Sequence, residues 1–300
     1  MSEVRTLPVP DAVAGQRVDA ALARMLGLSR TKAADLVEAG AVTCDGVVVG
    51  KSFRLPPGGW LTVELPAVAP APPPEPVPGM SVYYEDGDVI VFDKPPGVAA
   101  HPSPGWEGPT VVGALRASGH VLADAGPAER QGIVHRLDAG TSGLMVVAKS
   151  RRAYTALKAA FKDRTVSRAY HALIEGNLTT PVGTIDAPIG RHPGQEFKMA
   201  VVTGGKEART HYEVLEVFRS ATLVRARLET GRTHQIRVHM AAIGHPCLGD
   251  PTYNPRPTPG LGRQWLHAVE LGFRHPGTGE RMEFTSPYPP DLRAVVEGQG

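Results

Sequence analysis

Two short segments hold the side chains best suited to chemistry. In residues 133–149, IVHRLDAGTSGLMVVAK, one carboxylate, Asp138, follows Arg136 and stands just before the small turn-forming residues Gly140, Thr141, Ser142 and Gly143. The apolar run behind them can anchor that turn in a core, which is how a loop carboxylate is held for work as a nucleophile or base. The competing reading is an aspartate that only accepts turn hydrogen bonds. In residues 225–239, RARLETGRTHQIRVH, the pattern is a strand, a glycine turn and a helix capped near Thr233. Arg237 there has the charge to pair with a buried carboxylate or hold a phosphate, against the alternative of a solvated basic face. No metal is expected, because these histidines lack the carboxylate spacing of a zinc-binding helix and Cys44 and Cys247 stand far apart without a ligand cluster.

The elements that must position these segments fall into two parts. Residues 66–80, PAVAPAPPPEPVPGM, lose backbone donors to proline and favour an extended conformation, so 67–80 is expected to be a linker between residues 1–66 and 81–300. Before it, Val18, Leu22 and Met25/Leu26 have helical spacing, Ser29 opens a second helix, and the Asp45-Gly46 turn and the run from Trp60 read as β structure. After it, strands are expected at 81–85, 88–93, 143–148, 169–175 and 221–228, and helices at 111–117, 152–161 and 233–242. Without regular strand–helix alternation, a mixed α+β sheet is favoured over a doubly wound parallel one.

Composition narrows the rest. Three hundred residues at 42% hydrophobic and 21% charged exclude a disordered or collagen-like chain. The 32 basic residues nearly cancel the 30 acidic ones, so a nucleic-acid site must come from local placement of charge. No apolar run has the length of a membrane helix and the start lacks the apolar segment of a signal peptide, so no membrane partner and a cytoplasmic location are expected.

HRLDAGTSGLMVVAK at 135–149, RAYHALIEG at 168–176 and GRTHQIRVH at 231–239 resemble, in order and spacing, the signature blocks of the RluA/RluD-type pseudouridine synthase family. DKPPG at 93–97 and GKEARTHY at 205–212 are similar to further blocks, so the resemblance covers about residues 81–290. GQRVDAALA, LSRTKAADLVEAGAV and DGVVVGKS near the amino terminus resemble an S4-like RNA-binding domain. Within the family the chain is most similar to RluD-like enzymes of large-subunit rRNA.

The resemblance implies a largely antiparallel mixed sheet in the catalytic part and a reaction that breaks the ribose bond to uracil N1 and joins C5 to the same carbon. It implies no metal, nucleotide or redox cofactor, and a monomer whose partner is large-subunit rRNA or a ribosomal assembly intermediate. Asp138 matches the essential aspartate, acting either by attack on the sugar or by removal of a sugar proton. Arg237 matches the arginine that pairs with it, Tyr170 the aromatic residue against the uracil, and Ile236 an apolar wall. Arg136 matches the residue that takes the place of the flipped base. Arg30, Lys32 and Lys51 are the expected phosphate contacts of the small domain. Arg168 departs from the lysine of many members. The alternatives are a tRNA-directed enzyme of the same chemistry and an RNA-binding assembly factor with a dormant site.

Overall fold

In the computed structural model, residues 3–28, 30–65, 75–103, 106–195 and 198–299 are described, with the backbone alone for Thr31. The chain divides into two compact units, Met1–Pro72 and Pro73–Gly300. Most of the proline-rich stretch, residues 66–74, and the expected helix opener Ser29 lie outside the described residues. Residues 75–80 form neither helix nor strand.

The first unit contains β1 (Glu3–Pro8), α1 (Val18–Leu26), α2 (Arg30–Glu38), β2 (Val42–Cys44), β3 (Val47–Val48) and β4 (Trp60–Leu65), with sheet order β1-β4-β2-β3. The Asp45-Gly46 turn joins β2 to β3 with both residues at positive φ, 50° and 81°, the geometry a tight hairpin needs. The helical spacing read from the sequence is borne out by Val18, Ala21 and Leu22 of α1, which pack with Val42, Leu61 and Val63 of the sheet. Arg30 and Lys32 lie on α2 with exposed side chains, and Lys51 forms an ion pair with Glu38.

The second unit is built from β5 (Val82–Glu85), β6 (Val89–Lys94), α3 (Val111–Ala117), β7 (Ser142–Ala148), α4 (Arg151–Lys162) and β8 (Ser167–Glu175). It continues with β9 (Val182–Asp186), β10 (Ile189–Arg191), β11 (Met199–Val201), β12 (Arg209–Val217), β13 (Ala221–Leu228), α5 (Gln235–Ala242), β14 (Leu266–Arg274), β15 (Arg281–Thr285) and α6 (Pro290–Glu297). The main sheet runs β5-β6-β7-β14-β8-β13-β12-β9, with β15 on β14. Among its pairings only β7 with β14 is parallel, so the sheet is mixed and largely antiparallel.

Both faces of the central strands are buried, which is why β6 and β7 read as continuous apolar runs. Ile90, Phe92, Met145 and Val147 enter one core with α3 and α5, while Val89, Val91, Leu144 and Val146 enter the other with Ala153 and Leu157 of α4. The sequence reading did not anticipate β9 to β12, β14 or β15. β10 and β11 have three residues each, too few for a periodic signal, and Glu270 and Gly272 interrupt the apolar run of β14.

Burial lowers the pKa of three histidines, His135 to about 3 and His171 and His267 to about 4. The folded chain therefore resists taking up protons that the unfolded chain accepts near pH 6.5, so stability present above that pH is lost as pH falls toward 4. For the two deepest, His135 and His267, the slope is about 1.4 kcal/mol per pH unit each. Denaturant midpoints should accordingly fall steeply between pH 7 and pH 5, and equal midpoints would show that these rings are not buried neutral.

Candidate active site

Asp138 sits at the start of the turn that enters β7, and backbone geometry fixes that turn tightly. Gly143 has φ +114°, and a Cβ there would lie 2.4 Å from the Ala268 carbonyl oxygen, so a glycine lets β7 run against β14. Three side chains from elsewhere clamp the turn's backbone and hydroxyl. Lys94, fully buried, donates from Nζ to the carbonyls of Val98 (2.8 Å), Pro95 (2.9 Å) and Ala139 (3.1 Å). Arg263 Nη1 donates to the Gly140 carbonyl at 2.9 Å while its Nε and Nη2 grip Asp291, and Gln264 Nε2 donates to Thr141 Oγ1 at 3.1 Å. Burial pushes Lys94 down to about 7, against the charge of Asp138, which raises it.

Arg237, on α5, joins two carboxylates. Its Nη1 donates to Asp138 Oδ2 at 3.0 Å, while Nε and Nη2 form a two-pronged contact with Asp250 at 2.7 and 2.8 Å. Nη2 also donates to Thr252 Oγ1 at 3.2 Å, and the guanidinium lies 5.1 Å from the centre of the Tyr253 ring. Burial acts to lower the Arg237 pKa, but the bonds and charges of Asp250 and Asp138 more than reverse this, so the group is a permanent cation. It is 5% exposed and Asp250 is fully buried, which rules out the solvated-face reading of this segment for Arg237.

One cavity of about 890 Å³ collects the residues singled out from sequence: Asp138, Arg136, Tyr170 and Ile236 line it, and Arg237 reaches Asp138 from behind. Tyr170 and Ile236 are buried in its apolar wall, and Arg136 stands at its exposed rim, donating to the Thr233 hydroxyl. Burial raises the Tyr170 pKa, so the phenol stays protonated at neutral pH. The expected helix cap at Thr233 is corrected: α5 begins at Gln235, after His234 takes a left-handed φ of 57° that leaves Thr233 outside the helix. Gln235 Oε1 accepts from the Arg232 amide at 2.9 Å in its place. Arg30, Lys32 and Lys51 belong to the first unit and contribute nothing to this cavity.

Glu229 also lines the cavity, but it is already engaged. His211 Nε2 lies 2.7 Å from its Oε1, and Arg164 and Arg209 donate to Oε2 at 2.9 and 3.0 Å. The His211 bond, followed by those of the arginines, lowers its pKa against a smaller burial effect. Glu229 is thus a poor proton donor at neutral pH, and the cavity lacks the acid that glycoside hydrolysis pairs with a second carboxylate.

Among the described residues, Asp86, Asp88 and His275 bring potential metal-ligand atoms together. Their own contacts oppose that use. Ser150 and Arg152 donate to Asp88 at 2.6 and 2.5 Å, and His275 Nδ1 accepts from the amides of Gly277 and Thr278, which leaves the ring proton on the Nε2 facing Asp86.

A family model described as RNA pseudouridylate synthase matches residues 88–242, and one described as S4 domain matches residues 16–61. The chain is 56% identical to an uncharacterized RNA pseudouridine synthase of Mycobacterium bovis over 99% of both chains. The chain belongs to the pseudouridine synthase family. It is 43% identical to ribosomal large subunit pseudouridine synthase D of Pseudomonas aeruginosa, across 96% of this chain and 93% of that one. A solved structure, human RNA pseudouridylate synthase domain containing 1, matches 74% of this chain and 89% of its own at a TM-score of 0.59 and 30% identity. This protein is therefore an RNA pseudouridine synthase with an amino-terminal S4 domain, and RNA is its substrate.

The sequence reading missed Asp250, Tyr253 and Arg263 and quoted Lys94 only as part of a block. Asp250 and Tyr253 lie in the loop CLGDPTYNP, whose Gly-Asp-Pro punctuation marks a fixed turn but gives no hint of a partner.

Proposed function

We propose that this pseudouridine synthase acts on uridines of large-subunit (23S) rRNA, as a cytoplasmic monomer, with Asp138 as the reacting carboxylate. The observation that carries the reading is that Asp138 meets the cavity on a clamped turn beside a permanent cation, while the neighbouring Glu229 is tied up in ion pairs. A lone ionised carboxylate against the sugar suits an isomerisation. The N1–C1′ bond breaks, the base turns within the closed pocket, C5 bonds to C1′, the C5 proton leaves and N1 gains one. Attack by Asp138 on the sugar and removal of a sugar proton by it both start from this carboxylate.

Arg237 fixes the orientation of Asp138, and Tyr170 and Ile236 give the uracil a stacking surface and an apolar wall. Arg136, at the rim, has a planar cation that can stack in the gap left by an extruded base. In the S4 domain, Arg30, Lys32 and Lys51 hold phosphates, Lys51 by exchanging its Glu38 contact. The similarity to the Pseudomonas enzyme, which spans nearly the whole of both chains, supports the rRNA target.

The test is incubation of purified protein with large-subunit rRNA and, separately, a tRNA pool, followed by nucleoside analysis and site mapping. Pseudouridine confined to rRNA is expected. Product in tRNA alone would move the substrate, and none in either would leave an RNA-binding assembly factor.

A further inference from the structure

The cavity has a second wall that the groups around Asp138 do not explain. Tyr154, Lys158 and Lys162 follow one another at one-turn spacing on α4 and line it, joined by Arg130 from the loop before β7. The two lysines are exposed, and among the described residues neither they nor Arg130 form an ion pair. Other cations of the same helix are neutralised: Arg151 pairs with Asp124 and Arg152 with Asp88. Lysines one turn apart repel each other, so this wall is built at a cost that an anion would relieve.

Two buried donors in the cavity wall point the same way. His135 Nε2 accepts from the Val146 amide, so its proton is on Nδ1, and that atom has no acceptor. Arg168 Nε is likewise buried without one. Both groups rest against Phe161, the ring of His135 stacked at 4.6 Å and the guanidinium at 5.2 Å. At about 890 Å³ the cavity stands near the upper end for a single small-molecule ligand, leaving room beyond one base.

We infer that Arg130, Lys158 and Lys162 form a phosphate subsite that holds the RNA backbone flanking the uridine delivered to Asp138. The inference rests on the reaction proposed above. The strand then lies between Arg136 at one rim and α4 at the other, with the flipped nucleotide between them.

The test uses the full-length protein with Lys158→Gln and Lys162→Gln combined, and Arg151→Gln as a charge-matched control on the same helix. The double variant should raise KM for an rRNA fragment about tenfold, with a salt dependence of binding shallower by about 1 in logarithmic slope. Fragments trimmed on each side of the target in turn should bind wild type less well when one particular flank is lost, and the double variant should be indifferent to that flank. A double variant with wild-type KM and slope, while wild type makes pseudouridine, overturns the subsite alone. An equal loss in Arg151→Gln also overturns it, by making the effect one of overall charge. Absence of pseudouridine from wild type overturns the proposed reaction and the subsite with it.

Discussion

Asparagine at position 138 is expected to lower pseudouridine formation by at least about 10³-fold, toward the upper range for loss of a positioned acid–base or nucleophilic group. Asn keeps the size and one acceptor of the aspartate, so Arg237 Nη1 still has an oxygen to meet. What disappears is the negative charge and the electron pair that either route needs. The substitution is also mild for the fold. The Asp138 side chain retains 23% of its exposure, and Arg237 keeps its two-pronged contact with Asp250, so no buried cation is orphaned. Melting temperature should shift by no more than a few degrees. Nucleoside analysis of single-turnover reactions, run beside thermal melts and RNA binding, separates these effects. A folded variant keeping more than about a tenth of the wild-type rate would take the chemistry away from Asp138.

The reacting groups were legible because each is announced by its own local punctuation. Asp138 precedes a Gly-Thr-Ser-Gly turn and an apolar strand, and Arg237 follows a glycine turn into a helix. Their pairing across 99 residues followed from the family resemblance, since spacing within either segment says nothing of the other. What holds them was far less readable. Lys94 ends an apolar strand, where lysine ordinarily reaches solvent; it is buried because three carbonyls converge on its ammonium. Asp250 lies in a loop without periodicity, and its partner is known only once α5 is in place. Likewise, the double burial of β6 and β7 was written in their unbroken apolar runs, while β14, which passes between β7 and β8, was hidden by Glu270 and Gly272. Local propensity finds elements and turns; the support of a site comes from contacts distant in sequence.

Arg237→Met should be the most damaging single change, because it acts on stability and reaction through different carboxylates. Asp250 is fully buried, and its remaining donors are the Thr252 and Tyr253 amides at 2.9 and 3.2 Å. Removing its cation leaves a buried charge without a counter-ion, a loss of about 3–5 kcal/mol, which corresponds to a fall in melting temperature of roughly 10 °C for a unit of this size. Asp138 loses the bond that orients it, and kcat should fall about 10²-fold. Adding Asp250→Ala to Arg237→Met distinguishes the two consequences. If the stability loss comes from the stranded Asp250 carboxylate, the double variant melts well above the single one, because there is no longer a charge to strand. Activity should not return with it, since Asp138 still lacks its arginine. A double variant no more stable than Arg237→Met would place the cost in packing against Tyr253 instead, and recovery of activity along with stability would show that Arg237 serves the fold alone.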